Sequence, residues 1–302
     1  MLSVFVEESA ASSVRGGLSE NGSRLDWFHA FGGTVTRPIL LLTLLAAIVP
    51  SNASAVRIAA AGDIASCAWG DDKATGDLVR AIKPSVVVTL GDNAYPHGSF
   101  RQFKNCYDPP WGSFKRKTRP APGNHDYHTP EAAGYFRYFG SRAGRCCRGY
   151  YKYDVGAWRL YSLNSERRFA AQARWLRKDL RAHPHACTLA YWHQPRFSDG
   201  AVHGDTATVD PLWDAFAANG GDVVLAGHDH NYQRFPRRRG VRSFVVGTGG
   251  APLYDVVPKR VAAYDDTHHG ILRLKLRHGS YGWKFRRIGA AARDQGNANC
   301  RN

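Results

Sequence analysis

From Val56 onward the chain alternates short apolar runs with amphipathic stretches. The runs VRIAAA at 56–61 and VVVTL at 86–90 are too short for helices and rich in small or β-branched residues, so they predict strands. The stretch near 71–82 between them predicts a helix, giving a β-α-β opening that is followed by a loop-rich insert. Beyond it the pattern predicts a hairpin at 150–163 (YYKYDVGAWRLYSL), a helix at 170–182, a strand at 187–192 and a helix at 209–218. Strands at 222–226 and 242–247 and a closing hairpin at 270–287 complete the series. Helices interspersed with strands predict an α/β protein built as a sandwich, with two mixed sheets packed face to face and flanked by helices. No repeat, low-complexity tract or linker interrupts 56–302, which reads as a single domain. Residues 291–302 are polar and are expected to be loose unless Cys300 ties them down.

The remaining long apolar run, Ile39 to Val49, is too short to span a bilayer. Arg37 precedes it and Ala53-Ser54-Ala55 follows, the three parts of a secretory signal cut after Ala55. Residues 1–55 therefore read as an N-terminal extension plus signal peptide, and the protein as secreted or placed in the cell envelope, with no membrane anchor after cleavage. The apolar segment lies unusually far from Met1, the only methionine, which points to initiation nearer Val35. All six cysteines fall within 56–302 and none has C-x-x-C spacing, so disulfides are expected rather than a zinc cluster. Cys67 with Cys106 is the favoured pair, since both follow loops expected to converge on one face.

With 43% hydrophobic residues the chain is neither disordered nor fibrous. Lys and Arg number 41 against 25 acids, a formal charge of +16, and arginine supplies 31 of the 41. That balance predicts anionic partners, and guanidinium donors tilt the expectation toward phosphate. Arg237-Arg238-Arg239 lacks interleaved aromatics and reads as a solvated turn, so no specific nucleic-acid recognition is expected. No G-x-S-x-G elbow is present, which removes the serine-hydrolase reading.

Five strand ends or loops are followed at once by ligand-type residues. They are Gly62-Asp63, Gly91-Asp92-Asn93-Ala94-Tyr95, Gly123-Asn124-His125-Asp126, His193 and Gly227-His228-Asp229-His230. Ligands of α/β sheets bind beyond the carboxyl ends of strands, so these residues should converge. The glycines are expected to let the chain turn sharply out of each strand. Converging carboxylates repel unless a cation sits between them. Oxygen and imidazole donors suit Zn, Mn or Fe, and their number exceeds one coordination sphere, which predicts two ions sharing a carboxylate.

These motifs, GDIA, GDNAY, GNHD, AYWH and GHDH, resemble those of the calcineurin-like metallophosphoesterases, and within them the purple acid phosphatase branch. The resemblance implies a two-layered β-sandwich with helices and a dinuclear site. Asp63, Asp92, Tyr95 and His230 would hold one metal, and Asp92, Asn124, His193 and His228 the other, with Asp92 as the bridge. His125 would stand beside the phosphate as proton donor or charge stabiliser, oriented by Asp126. Ala65 stands where relatives carry Gly or a histidine ligand, which makes Tyr95 the replacement ligand and iron, paired with Zn or Mn, the expected metal. His203, Arg196 and His97 are candidates for substrate contact. The implied activity is hydrolysis of phosphoesters on small molecules or polyanions by a hydroxide nucleophile, with monoesters first. Diesterase action and a non-catalytic, metal-containing binder of polyanions are the alternatives.

Overall fold

In the computed structural model, residues 55–184 and 187–301 are described. The expected extension and signal segment falls almost wholly on 1–54, outside the described residues. Among the described residues no helix is long and apolar enough to cross a membrane.

The first layer is a six-stranded sheet. It contains β1 (Val56–Ala61), β2 (Val86–Leu90), β3 (Thr118–Ala121), β11 (Gly270–Arg277), β12 (Ser280–Arg287) and β13 (Gln295–Asn299), in the order β13-β12-β11-β1-β2-β3. The second layer has seven strands: β4 (Tyr151–Val155), β5 (Trp158–Ser162), β6 (Cys187–Tyr191), β7 (Val223–Ala226), β8 (Tyr232–Arg234), β9 (Arg242–Val246) and β10 (Ala263–Asp265). Its order is β10-β8-β9-β7-β6-β5-β4. In the first sheet β1, β2 and β3 run parallel, and in the second β5, β6, β7 and β9 do. The parallel strands thus end together, and the loops that leave them can share one rim.

Side-chain alternation decides which residues fill the space between the layers. On β11, Leu272, Leu274 and Leu276 point inward with Ile58 and Ala60 of β1, and meet Leu189, Tyr191, Leu225 and Phe244 from the facing sheet. The opposite face of the second sheet, with Tyr161, Ala190 and Val224, is covered by α5 (Phe169–Ala182) and α6 (Asp210–Ala217) through Leu176, Leu212, Trp213 and Phe216. Helix α1 (Asp71–Ile82) buries Thr75, Val79 and Ile82, spaced for one helical face, and stops where Lys83 turns left-handed before Pro84.

The insert after β2 is more ordered than its composition suggests. It holds α2 (Phe100–Gln102), capped by Ser99, a π turn at Phe103–Tyr107, α3 (Asp108–Trp111) and α4 (Ala133–Phe139) around a cluster of Phe103, Tyr107, Tyr138 and Phe139. Strand β3 carries Pro120 and escapes pattern reading for that reason; its place at the sheet edge leaves room for a residue with no N–H. Residues 295–299 are not loose. They form edge strand β13 on β12, and Cys300 closes on Cys187. The other bridges are the expected Cys67–Cys106 and the adjacent pair Cys146–Cys147.

Asp294, just before β13, is buried and accepts from Tyr232, Trp283 and both Nε and Nη2 of Arg234. Burial alone would raise this carboxyl, but the donors outweigh it and hold its pKa below the ordinary 3.8. A depressed carboxyl contributes stability above the unfolded-state value and loses it as pH falls through the folded one. Asp294→Asn is therefore expected to cost about 3 kcal/mol at pH 7. Urea titrations should show the gap to wild type narrowing as the pH falls below about 4.

Candidate metal centre

The donor residues sit where the parallel strands end. Asp63, Asp92 and His228 each adopt a left-handed backbone, with φ of 58°, 47° and 72°. Non-glycine residues rarely take that conformation, so three such turns on one rim mark a built site. Here the structure corrects the role expected of the glycines. Asp63 and His228 make the left-handed turn themselves, Asp92 makes it together with Gly91, and the Gly123-Asn124 loop has none, so Gly62, Gly123 and Gly227 are needed for space. A Cβ at Gly123 would lie 2.3 Å from Asp92 Oδ1, and one at Gly227 2.6 Å from Asp63 Oδ2. Gly123→Ala is accordingly expected to lower metal content at least about tenfold while leaving the fold cooperative. Metal analysis of the purified variant alongside its melting curve checks this.

Each carboxylate is tied by one oxygen and offers the other. Asp63 Oδ2 accepts from the His228 backbone N–H at 2.9 Å, and Asp92 Oδ1 from that of His125 at 2.8 Å. The free oxygens, Asp63 Oδ1 and Asp92 Oδ2, lie 3.1 and 3.2 Å from the Tyr95 hydroxyl, which is also 3.2 Å from His230 Nε2. Around His193 Nε2 stand Asn124 Oδ1 at 3.0 Å, His228 Nδ1 at 3.1 Å and Asp92 Oδ2 at 3.3 Å. Carbonyls set the tautomers: His193 Nδ1 faces Leu90 O and His230 Nδ1 faces Pro252 O, both at 2.8 Å. His193 and His230 thus turn Nε2 into the cluster as the atom that would ligate, held as ligating histidines are held.

Lone pairs that face one another need a cation or a proton between them. One phenol proton at Tyr95 cannot serve three acceptors, and burial together with Asp92 and Asp63 pushes that phenol well above its usual pKa. Burial disfavours charge on His193, yet the carboxylates of Asp92 and Asp63 hold its pKa up at about 10. Burial and the neighbouring His193 push His228 down to about 3. The set fits hard or borderline cations, and Asp63, Asp92 and His193 each offer a buried ligand atom within 4.8 Å of the others.

A cavity of about 490 Å³ opens onto this cluster. His125 and His203 line it. His125 Nδ1 is bound to the Pro96 carbonyl at 2.7 Å, and its Nε2 is 3.9 Å from Asp92 Oδ2. The expectation that Asp126 orients His125 is corrected. The Asp126 carboxylate is fully buried and accepts from Gly123 N and Asn93 Nδ2, both at 2.9 Å, so it braces the two motif loops against each other. Burial and the charge of Asp92 raise it to about 7. His203 stacks on His228 with ring centroids 4.1 Å apart. Arg196 and His97 do not line the cavity. Arg196 is engaged by Asp210 and Asp205, and His97 packs on His128. Sequence reading missed Trp69, tilted against Tyr95 with ring centroids 4.9 Å apart, and Tyr254, stacked on His230 at 4.1 Å; neither belongs to a motif. It also missed Asp229, whose carboxylate accepts from Ser198 Oγ and the backbone N–H groups of His203 and Gly204 and so seats the His203 loop. An acid between the two histidines of GHDH was the available signal.

Fold and site together define an α/β sandwich whose strand ends hold a multi-donor cation centre. The model of the calcineurin-like phosphoesterase family matches residues 56–232, and the chain belongs to that family. It is 27% identical over 230 residues to purple acid phosphatase 18 of Arabidopsis thaliana, covering 65% of this chain and 50% of that protein. Among solved structures, purple acid phosphatase PPD1 from yellow lupin (Lupinus luteus) superposes with a TM-score of 0.73 at 17% identity, over 82% of this chain and 54% of that one. GAP50, described as the anchor in the inner membrane complex of Plasmodium, gives 0.66 at 13% identity, over 82% and 90%. The chain spans about half the length of the curated purple acid phosphatase it matches.

Proposed function

We propose that the protein is an exported, metal-dependent hydrolase of phosphoesters, acting first on monoesters. The observation that carries this is the convergence of seven donors whose lone pairs face a common space, with a nonligating histidine beside them. Asp63, Tyr95 and His230 would hold one ion, Asn124, His193 and His228 a second, and Asp92 both, with Fe and either Zn or Mn as the pair. Such a pair supplies Lewis acidity toward phosphoryl oxygens and an activated water at neutral pH.

The chain's own residues supply the rest. With Nδ1 committed to Pro96 O, His125 presents Nε2 to the cavity. As an imidazolium it offsets charge on the ester and delivers its Nε2 proton to the departing oxygen. The stacked His203 ring stands ready to donate to a phosphoryl oxygen. Export is supported by the pairing of all six cysteines, which suits an oxidising compartment, together with the signal pattern ending at Ala55.

Hydrolysis of nitrophenyl phosphate and of its bis ester by metal-loaded protein tests the reading. Faster turnover of the monoester, with two ions per chain by metal analysis, is expected. Preference for the bis ester would reassign it as a diesterase. Turnover of neither ester at full metal occupancy would leave a binder.

A further inference from the structure

The outer face of the first sheet, away from the metal centre, carries a second chemical feature. Strand register puts Arg57 of β1, Arg273, Lys275 and Arg277 of β11, and Lys284 and Arg286 of β12 on this one face. Arg273 lies directly opposite Lys284, and Arg57 opposite Lys275. The face continues onto β13 with Gln295, Asn297 and Asn299. Its strands bear no acid there and, beyond the part covered by α1 with its exposed Asp71 and Asp77, no exposed apolar or aromatic side chain.

Like charges directly opposite one another destabilise a sheet, so their retention needs a reason. Among the described residues none of the six forms an ion pair, whereas Arg159, Arg234 and Arg260 of the second sheet and its loops do, as does Arg287 on the opposite face of β12. The Nε of Arg273 is buried without any hydrogen-bond partner, as are those of Arg238 and Arg242. Unpaired guanidinium and ammonium groups gathered on one face are the complement of an anion.

The layout selects the partner. The cations form a grid, ~4.8 Å apart across strands and ~6.8 Å apart along them. A linear polyanion would meet one row of such a grid, whereas a plane of anionic headgroups meets all of it. With nothing apolar to insert and nothing to stack on bases, contact is electrostatic and reversible. We propose that this face docks the protein on an anionic phospholipid surface, with the neutral amides of β13 bonding headgroup oxygens at its border.

Sedimentation with vesicles of phosphatidylcholine containing roughly one-third phosphatidylglycerol tests this, with pure phosphatidylcholine as the blank. Wild type should bind the anionic vesicles only, and less as salt rises. The triple variant Arg273→Gln, Lys284→Gln, Arg286→Gln should lose roughly 20-fold or more in partitioning. A charge-matched control on exposed α5, Arg174→Gln, Arg177→Gln, Lys178→Gln, should stay within about twofold. Should the first triple fail to fold by circular dichroism, Lys275→Gln with Arg277→Gln at the exposed end of β11 replaces it. Equal losses in face and control variants would mean bulk charge and overturn the proposal, as would absence of wild-type binding at low salt. It is also overturned if the face variant releases a single-stranded oligonucleotide while its vesicle binding is unchanged.

Discussion

Asp92→Asn is expected to lower turnover of nitrophenyl phosphate by at least about 10³-fold, with metal content falling well below that of wild type. The substitution keeps shape and the hydrogen bond at Oδ1, which accepts the His125 backbone N–H at 2.8 Å. What it removes is the charge at Oδ2, the one atom within 3.3 Å of both Tyr95 Oη and His193 Nε2. It also places an amide where the two donor groups meet. An amide is a poor bridge between cations, and without the carboxylate the opposing lone pairs of His193 and His228 lose the group that organises them. Thermal unfolding should change little, because the fold's core lies elsewhere. Full two-ion occupancy with near-normal kcat in this variant would remove Asp92 from the centre of the site.

His125→Ala should behave differently. The ring is not among the atoms within reach of both donor groups, so metal content should stay at the wild-type level. The kcat should fall by about 10² to 10⁴-fold for esters with poor alkyl leaving groups, where protonation of the departing oxygen matters. For nitrophenyl phosphate, whose leaving group needs little help, the fall should be smaller by at least about tenfold. A uniform loss on both substrates would assign His125 to binding or charge stabilisation rather than proton delivery. The geometry favours proton delivery because Pro96 O fixes the ring at Nδ1 and leaves Nε2 facing the cavity.

The donors themselves were legible because each follows an apolar strand and sits beside glycine, a pattern that is short-range. Residues placed by packing alone left no such mark. Trp69 and Tyr254 reach the cavity from loops whose path depends on the Cys67–Cys106 bridge and on Pro252 contacting His230. Arg196 looked available beside His193 in sequence, and only the folded chain brings Asp205 and Asp210 to it. Asp126 stands next to His125 in sequence, yet its carboxylate serves Gly123 and Asn93.

By itself the sequence determined the alternating strands and helices, the sandwich class and the chemistry of the strand-end donors, because hydrophobic period and strand-end position act over a few residues. Tertiary structure alone decided which nitrogen of each histidine is free, why the glycines must be small, how a polar tail becomes strand β13, and that six cations share one sheet face. Those outcomes depend on atoms far apart in the chain brought within a few ångströms, and no local pattern encodes such distances.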